Sequence, residues 1–286
     1  MLPKTVRLGL LAIASLMLAL FILAAACGGG ESEEPTATAT PMATVTGTPL
    51  ATVTPGMSTP PATPLPGACV PQVPTEGQAN LFHNSDFESG REPWCSLHPG
   101  EVPPFEVSQD YAHSGESSAL LRMRVPAEEE GHAKVFYLVQ EVLPEQFPEL
   151  MSGYYRVENW TRGTSKQYLQ FVVIAFDVAN LPGDYPNHQM RYPLAGISEE
   201  PFAIANAYFV FIGKGEPRPG EWVYFERNIS QDFQQFWGAA PEDFSKIRVL
   251  FEVRYDDKEA GPAPAEADVY YDDLYMGPAS ENPNKP

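Results

Sequence analysis

Apolar and polar positions divide the chain into three stretches. Behind Lys4 and Arg7 lies an apolar run from Leu8 to Leu23 that ends in Ala24-Ala25-Ala26-Cys27. Residues 28–77 then alternate Thr, Pro and Ala with few large apolar side chains. From Asn80 onward the pattern becomes short β-rich runs broken by turn residues. Strands are predicted over Asn80–Glu88, Phe105–Gln109, Ser118–Val125, Lys134–Val142, Leu150–Glu158, Lys166–Val178, Ala203–Ile212, Trp222–Ile229, Lys246–Tyr255 and Ala267–Met276. Breakers such as Ser89-Gly90, Leu181-Pro182-Gly183 and Pro217-Arg218-Pro219-Gly220 separate them. Ser230–Phe236 and Pro241–Phe244 read as short helical turns. Many short strands with mixed faces imply an all-β, antiparallel sandwich and not a parallel sheet.

The N-terminal pattern admits three physical readings. It is a secretory peptide that is removed, an uncleaved apolar segment long enough to span a bilayer, or a lipidated cysteine. The last resembles the bacterial lipoprotein signal, which implies acylation of Cys27 and an exported, cell-surface chain. Ala24 departs from the Leu commoner at that position in the signal. Residues 28–77 read as a spacer, because so few apolar groups cannot offset backbone ordering and the prolines favour extended polyproline II. At about 3.1 Å per residue such a spacer reaches on the order of 150 Å when extended. The remainder, 78–278, suits one domain, with 279–286 as a disordered tail.

Charge narrows the partners. The chain carries 18 Lys+Arg against 37 Asp+Glu, a formal net charge of −19. That balance argues against nucleic acid and anionic lipid headgroups, since no basic patch is visible to neutralise phosphates. Cys69 and Cys95 remain as an even pair in an oxidising compartment. Bridged, they would staple the end of the spacer to the loop after the first strand, contributing about 3 kcal/mol on the chain-entropy estimate. Cys95 and His98 form a Cys-x-x-His fragment without a second pair at zinc spacing.

Three motifs bracket the domain. Asn80-Leu81-Phe82-His83-Asn84-Ser85-Asp86-Phe87-Glu88-Ser89-Gly90 with Pro93-Trp94, then Ala112-His113-Ser114-Gly115-Glu116-Ser117-Ser118-Ala119-Leu120, then Val269-Tyr270-Tyr271-Asp272-Asp273-Leu274-Tyr275, occur in that order. Together they resemble galactose-binding-like jelly rolls, especially carbohydrate-binding modules of the cellulose- and xylan-binding kind. The resemblance implies a jelly-roll β-sandwich, a carbohydrate ligand and a structural calcium ion joining the first and last strands. The matching metal positions are Glu88 and Asp272, with oxygens from the loop around Ser114. Two carboxylates with loop carbonyls and water suit a cation that takes six to eight oxygens.

Sugar recognition calls for aromatic faces beside planar hydrogen-bonding side chains. Alternation puts Tyr154, Arg156 and Glu158 on one face of their strand, and Arg248, Glu252 and Arg254 on one face of another. One concave sheet lined by both sets is expected, with Tyr168 and Gln170 from a neighbouring run and Trp94 or Trp160 at the rim. The bland alternative is that the tyrosines are core and that the Arg/Glu pairs are solvated ladders. Catalytic signals are weak. Gly115-Glu116-Ser117-Ser118-Ala119 lacks the last glycine and the strand-turn-helix setting of a nucleophile elbow. Gly213-Lys214-Gly215 lacks phosphate-loop spacing. Glu128-Glu129-Glu130 and Glu199-Glu200 are adjacent residues that do not converge as acid and base. The expected function is a non-catalytic, surface-anchored carbohydrate-binding module. Its alternatives are an adhesion module contacting envelope proteins and, more remotely, a glycoside-active enzyme.

Overall fold

The computed structural model describes residues 69–98 and 105–285. The signal segment, Cys27 and the spacer through residue 68 lie outside these described residues. Among them the chain forms an all-β jelly-roll sandwich. Its strands are β1 (Glu106–Ser108), β2 (Ser118–Val125), β3 (Gly131–Val142), β4 (Leu150–Thr161), β5 (Lys166–Phe176), β6 (Asn187–Ala195), β7 (Phe202–Ile204), β8 (Ala207–Phe209), β9 (Trp222–Asn228), β10 (Lys246–Lys258) and β11 (Ala265–Gly277). One sheet has the order β1-β2-β11-β4-β9 and the other β3-β10-β5-β6-β8-β7. Among the described residues these strands all pair antiparallel except β6 with β8.

Alternation explains the core. Leu121 and Met123 of β2, Tyr155 and Val157 of β4, Val269 and Tyr271 of β11 point inward from the first sheet. Leu169, Phe171 and Val173 of β5 and Val249, Phe251 and Val253 of β10 meet them from the second. With period 2, the residues between these necessarily face outward. Helix α1 (Ile229–Trp237) plugs one end; Asn228 caps it by accepting from the Gln231 amide at 2.8 Å, and Gly238 ends it at φ 92°. Pro241–Phe244 forms no helix.

Asn80–Glu88 is a run of turns, not a strand. Asn84 and Phe87 take positive φ (49° and 59°), and side chains replace ladder bonds. Asn80 Oδ1 accepts from the Met276 amide at 3.1 Å while its Nδ2 donates to Leu274 O at 2.8 Å. Asn84 similarly bridges Gly90, Glu92 and Ser89. β6 was unexpected because Pro193 interrupts its apolar pattern. The strand tolerates that residue opposite Gln170, where the register with β5 shifts. The expected strand Ala203–Ile212 is split by a turn at Ala205, φ 48°.

Both ends of the domain are tied down further than composition suggests. Cys69 and Cys95 form a disulfide with Cα atoms 5.1 Å apart. Gln72 pairs with β3 through Glu141 O and the Leu143 amide, both at 2.8 Å. The tail expected to be free instead forms a 3-10 turn (Ala279–Glu281), and Asn282 binds Ser152 and Glu226 at 2.8 and 2.9 Å.

Candidate functional site

The nine expected ligand residues separate into three places. Trp94 is a correction: it is 1% exposed, packed against Phe82, Phe87 and Phe251, with Nε1 donating to Asn84 O at 2.9 Å. It is a core plug, not a rim platform. Trp160 also packs partly against the core, and its Nε1 donates to Glu216 at 2.7 Å.

The expectation of one shared sheet is likewise corrected. Tyr154 and Arg156 lie on β4, paired with β11 and β9, whereas Arg248, Glu252 and Arg254 lie on β10, paired with β3 and β5. Each set faces outward from its own sheet, so the two sit on opposite sides of the sandwich. Tyr154 stacks on His113 with ring centroids 3.5 Å apart, and Arg156 is held between Glu158 and the Tyr111 ring, 4.2 Å from its centroid. Both are committed to partners within the protein.

On the six-stranded face, β10 and β5 bring Tyr168, Gln170, Glu252 and Arg254 together, with Asp256, which sequence reasoning missed. Glu252 lies opposite Gln170, and Arg254 opposite Tyr168. Gln170 Nε2 donates to Glu252 at 2.5 Å, Tyr168 to Asp256 at 2.9 Å, and Arg254 to Asp256 at 2.5 Å. Gln170 is 0% exposed and Glu252 4%, yet Gln170 Oε1 and Arg254 Nε are buried with no partner. Burial drives the Tyr168 hydroxyl well above the ordinary phenol range, so it stays a donor. Burial also opposes charge on Arg254, but Tyr168, Asp256 and Glu252 outweigh it and hold the guanidinium ionised.

β6 adds Arg191 to this row. Burial lowers its pKa, against the attraction of Glu252. Its guanidinium lies 5.6 Å from the Phe209 ring centroid, and Phe209 stacks on Phe202 at 4.7 Å with Phe211 alongside. The result is a ledge of half-buried aromatic rings beside a row of planar polar groups. Sequence reasoning missed Arg191 because it missed β6, and missed the Phe ledge because no signal fixed which strand Phe209 joins. Arg248 lies further along β10, held by Glu141 at 2.5 Å over the Phe176 ring.

Glu88, Ser114 and Asp272 meet around the 113–117 loop. Glu88 Oε1 accepts the Glu116 and Ser117 amides, each at 2.8 Å. Gly115, at φ 61°, passes so close that a β-carbon there would collide with the Glu88 carboxylate. Asp272 accepts the amides of His113 (2.7 Å), Ser114 (3.2 Å) and Asp273 (2.8 Å). Ser114 Oγ is turned to Asp273 at 2.7 Å, so the hydroxyl is not aimed at Asp272. Among the described residues no group of three or more His, Cys, Asp or Glu is arranged to hold a metal. The donor chemistry still suits a hard cation: among the described residues, buried Asp272 has no cationic partner and Glu88 Oε2 accepts no hydrogen bond. Burial, then the Asp273 charge, push Asp272 up to about 7 despite the three amides.

No protein-family model matches the chain, and no curated protein does. Solved structures are similar at low levels. A CBM61 module in complex with β-1,4-galactotriose is 14% identical, covering 70% of this chain and 98% of that one, with TM-score 0.37. A family 16 carbohydrate-binding module is 18% identical, covering 69% and 99%, with TM-score 0.37. A CBM28 module specific for non-crystalline cellulose is 13% identical, covering 73% and 100%, with TM-score 0.39. A cellulase and a xylanase match comparably, at TM-scores 0.35 and 0.34. Matches this distant do not bear on what this chain binds.

Proposed function

We propose that the outer face of the six-stranded sheet binds a neutral glycan without catalysis. The observation that carries this reading is the pair of buried, unpartnered polar atoms, Gln170 Oε1 and Arg254 Nε, in a row flanked by the Phe202–Phe209 ledge. Leaving such atoms unsatisfied costs about 1–3 kcal/mol each; both are closed to solvent here, so a ligand hydroxyl recovers that cost only when the Gln170 and Arg254 side chains swing outward to meet it. A pyranose offers those hydroxyls around its rim and an apolar C–H face to an aromatic ring. Glu252 and Asp256 orient Gln170, Arg254 and Tyr168 here and are assigned no acid–base role.

The reading extends to the rest of the chain. Cys27 is the acylated anchor, the spacer holds the domain at the bacterial cell surface, and a structural calcium ion is held by Glu88 and Asp272. When bound, calcium supplies positive charge to the buried Asp272 carboxylate; the protein positions that carboxylate through the 113–117 loop amides. A glycan-array screen of the full chain, with calcium and with chelator, tests the proposal. Binding to at least one neutral glycan is expected. Silence from folded protein, together with a co-purifying envelope protein, would favour the adhesion-module alternative.

A further inference from the structure

The opposite face also carries a built cleft. Its volume is about 430 Å³, within the range of ligand cavities and room for about two sugar rings. It is lined by Tyr270 and Asp268 of β11, Arg122 of β2, Glu158 of β4, and Asp110 and Tyr111 from the loop before β2.

Three features show preparation for a ligand. Asp268, 4% exposed, accepts from Arg122 at 3.3 Å, Arg124 at 2.7 Å and Asn159 at 2.5 Å, which fixes the cleft's end. Tyr111 remains 39% exposed although its ring is clamped between Arg156 (4.2 Å) and the edge of Tyr270 (5.2 Å). Rigid aromatic groups bind at small entropic cost. Finally, Asp110, Tyr111 and Tyr270 line the cleft, and among the described residues the Asp110 carboxylate and the two tyrosine hydroxyls make no hydrogen bond. A rigid wall with free donors and acceptors of both kinds matches a polyol. The acidic residues around it, on a chain of net charge −19, disfavour an anion.

We infer that this cleft is a second glycan site, so that one domain holds sugar on both sides of the sandwich and can cross-link two glycan chains. The inference takes its ligand class from the function proposed above.

Isothermal titration of the full chain with cellohexaose, xylohexaose and mannohexaose tests it. Two sugars per domain are expected for at least one of these. Asp110→Asn and Tyr111→Ala should each reduce this to one, leaving the remaining site's affinity unchanged, as expected for distant sites. Asp110 and Tyr111 are exposed, so neither variant threatens the fold. Phe209→Ala should weaken the other site about 30-fold. A stoichiometry of one that neither cleft variant changes overturns the inference. A single site lost in the cleft variants but kept in Phe209→Ala upholds the cleft and removes the six-stranded face. No binding of any of the three overturns both.

Discussion

On the six-stranded sheet Gln170 and Glu252 are almost completely buried, and Gln170 Oε1 and Arg254 Nε lack partners among the described residues; on the five-stranded sheet Tyr154, Arg156 and Glu158 are half-buried and engaged with neighbours, beside buried Asp268 and Tyr270. Gln170 and Arg254 hold unmet hydrogen-bonding capacity in a dry setting, where each additional bond counts for more. Arg156, by contrast, is paired with Glu158 and lies over the Tyr111 ring, and thereby steadies the rim of an open cleft, while Tyr154 stacks on His113. Similar residue types thus make a deep polar row on one side and a braced, solvent-facing cleft on the other. The difference lies in which strands flank them, not in the local sequence.

The sharpest way to break the comparison is to remove what both faces share. Trp94→Ala should cost about 3–5 kcal/mol by cavity formation and lower the thermal midpoint, weakening both faces together; loss of binding at one face with unchanged stability would return Trp94 to the ligand. Next, Arg254→Ala should cost about 3–5 kcal/mol, because it leaves buried Asp256 and Glu252 without their cation, measured by denaturant unfolding. A surface pair such as Arg122–Glu106 should contribute under about 1 kcal/mol, so Glu106→Gln gives the scale for the opposite face.

Intermediate effects come from pH and from the ledge. Asp272 is raised from 3.8 to about 7, so between those values the folded state binds more protons than the unfolded state. Its contribution to stability is therefore fully present below about pH 4 and is lost as pH rises to about 7, with a slope of at most about 1.4 kcal/mol per unit. The difference between wild type and Asp272→Asn in unfolding free energy should trace that slope, and calcium should flatten it by favouring the ionised carboxylate. A difference independent of pH in chelator would contradict the assignment. Phe209→Ala should weaken glycan binding at the six-stranded face by about 2 kcal/mol, the scale of an interface anchor, and lower the unfolding free energy by less than Trp94→Ala does, because Phe209 is only half-buried.

Much of the sandwich was legible because period-2 alternation is local. Ser118–Val125 reads the same in the chain and in the structure, and the outward sets on β4 and β10 were recognisable as faces. Sheet membership was not legible, since it depends on pairings between residues far apart, β4 with β11 and β10 with β3. That is why two faces were read as one. β6 was hidden by Pro193, and with it Arg191; the opening turns were read as a strand because apolar Leu81, Phe82 and Phe87 are interspersed with polar residues, although asparagine side chains set the path. Asp256 was missed because the predicted strand stopped at Tyr255, while β10 runs to Lys258.

The most direct test of the central claim is backbone-amide NMR of the full chain during titration with the glycan that responds on the array. Binding at the six-stranded face predicts the largest shifts at Gln170, Arg191, Phe209, Glu252 and Arg254, saturating together. Shifts confined to other positions, with these five unmoved at saturation, would contradict it.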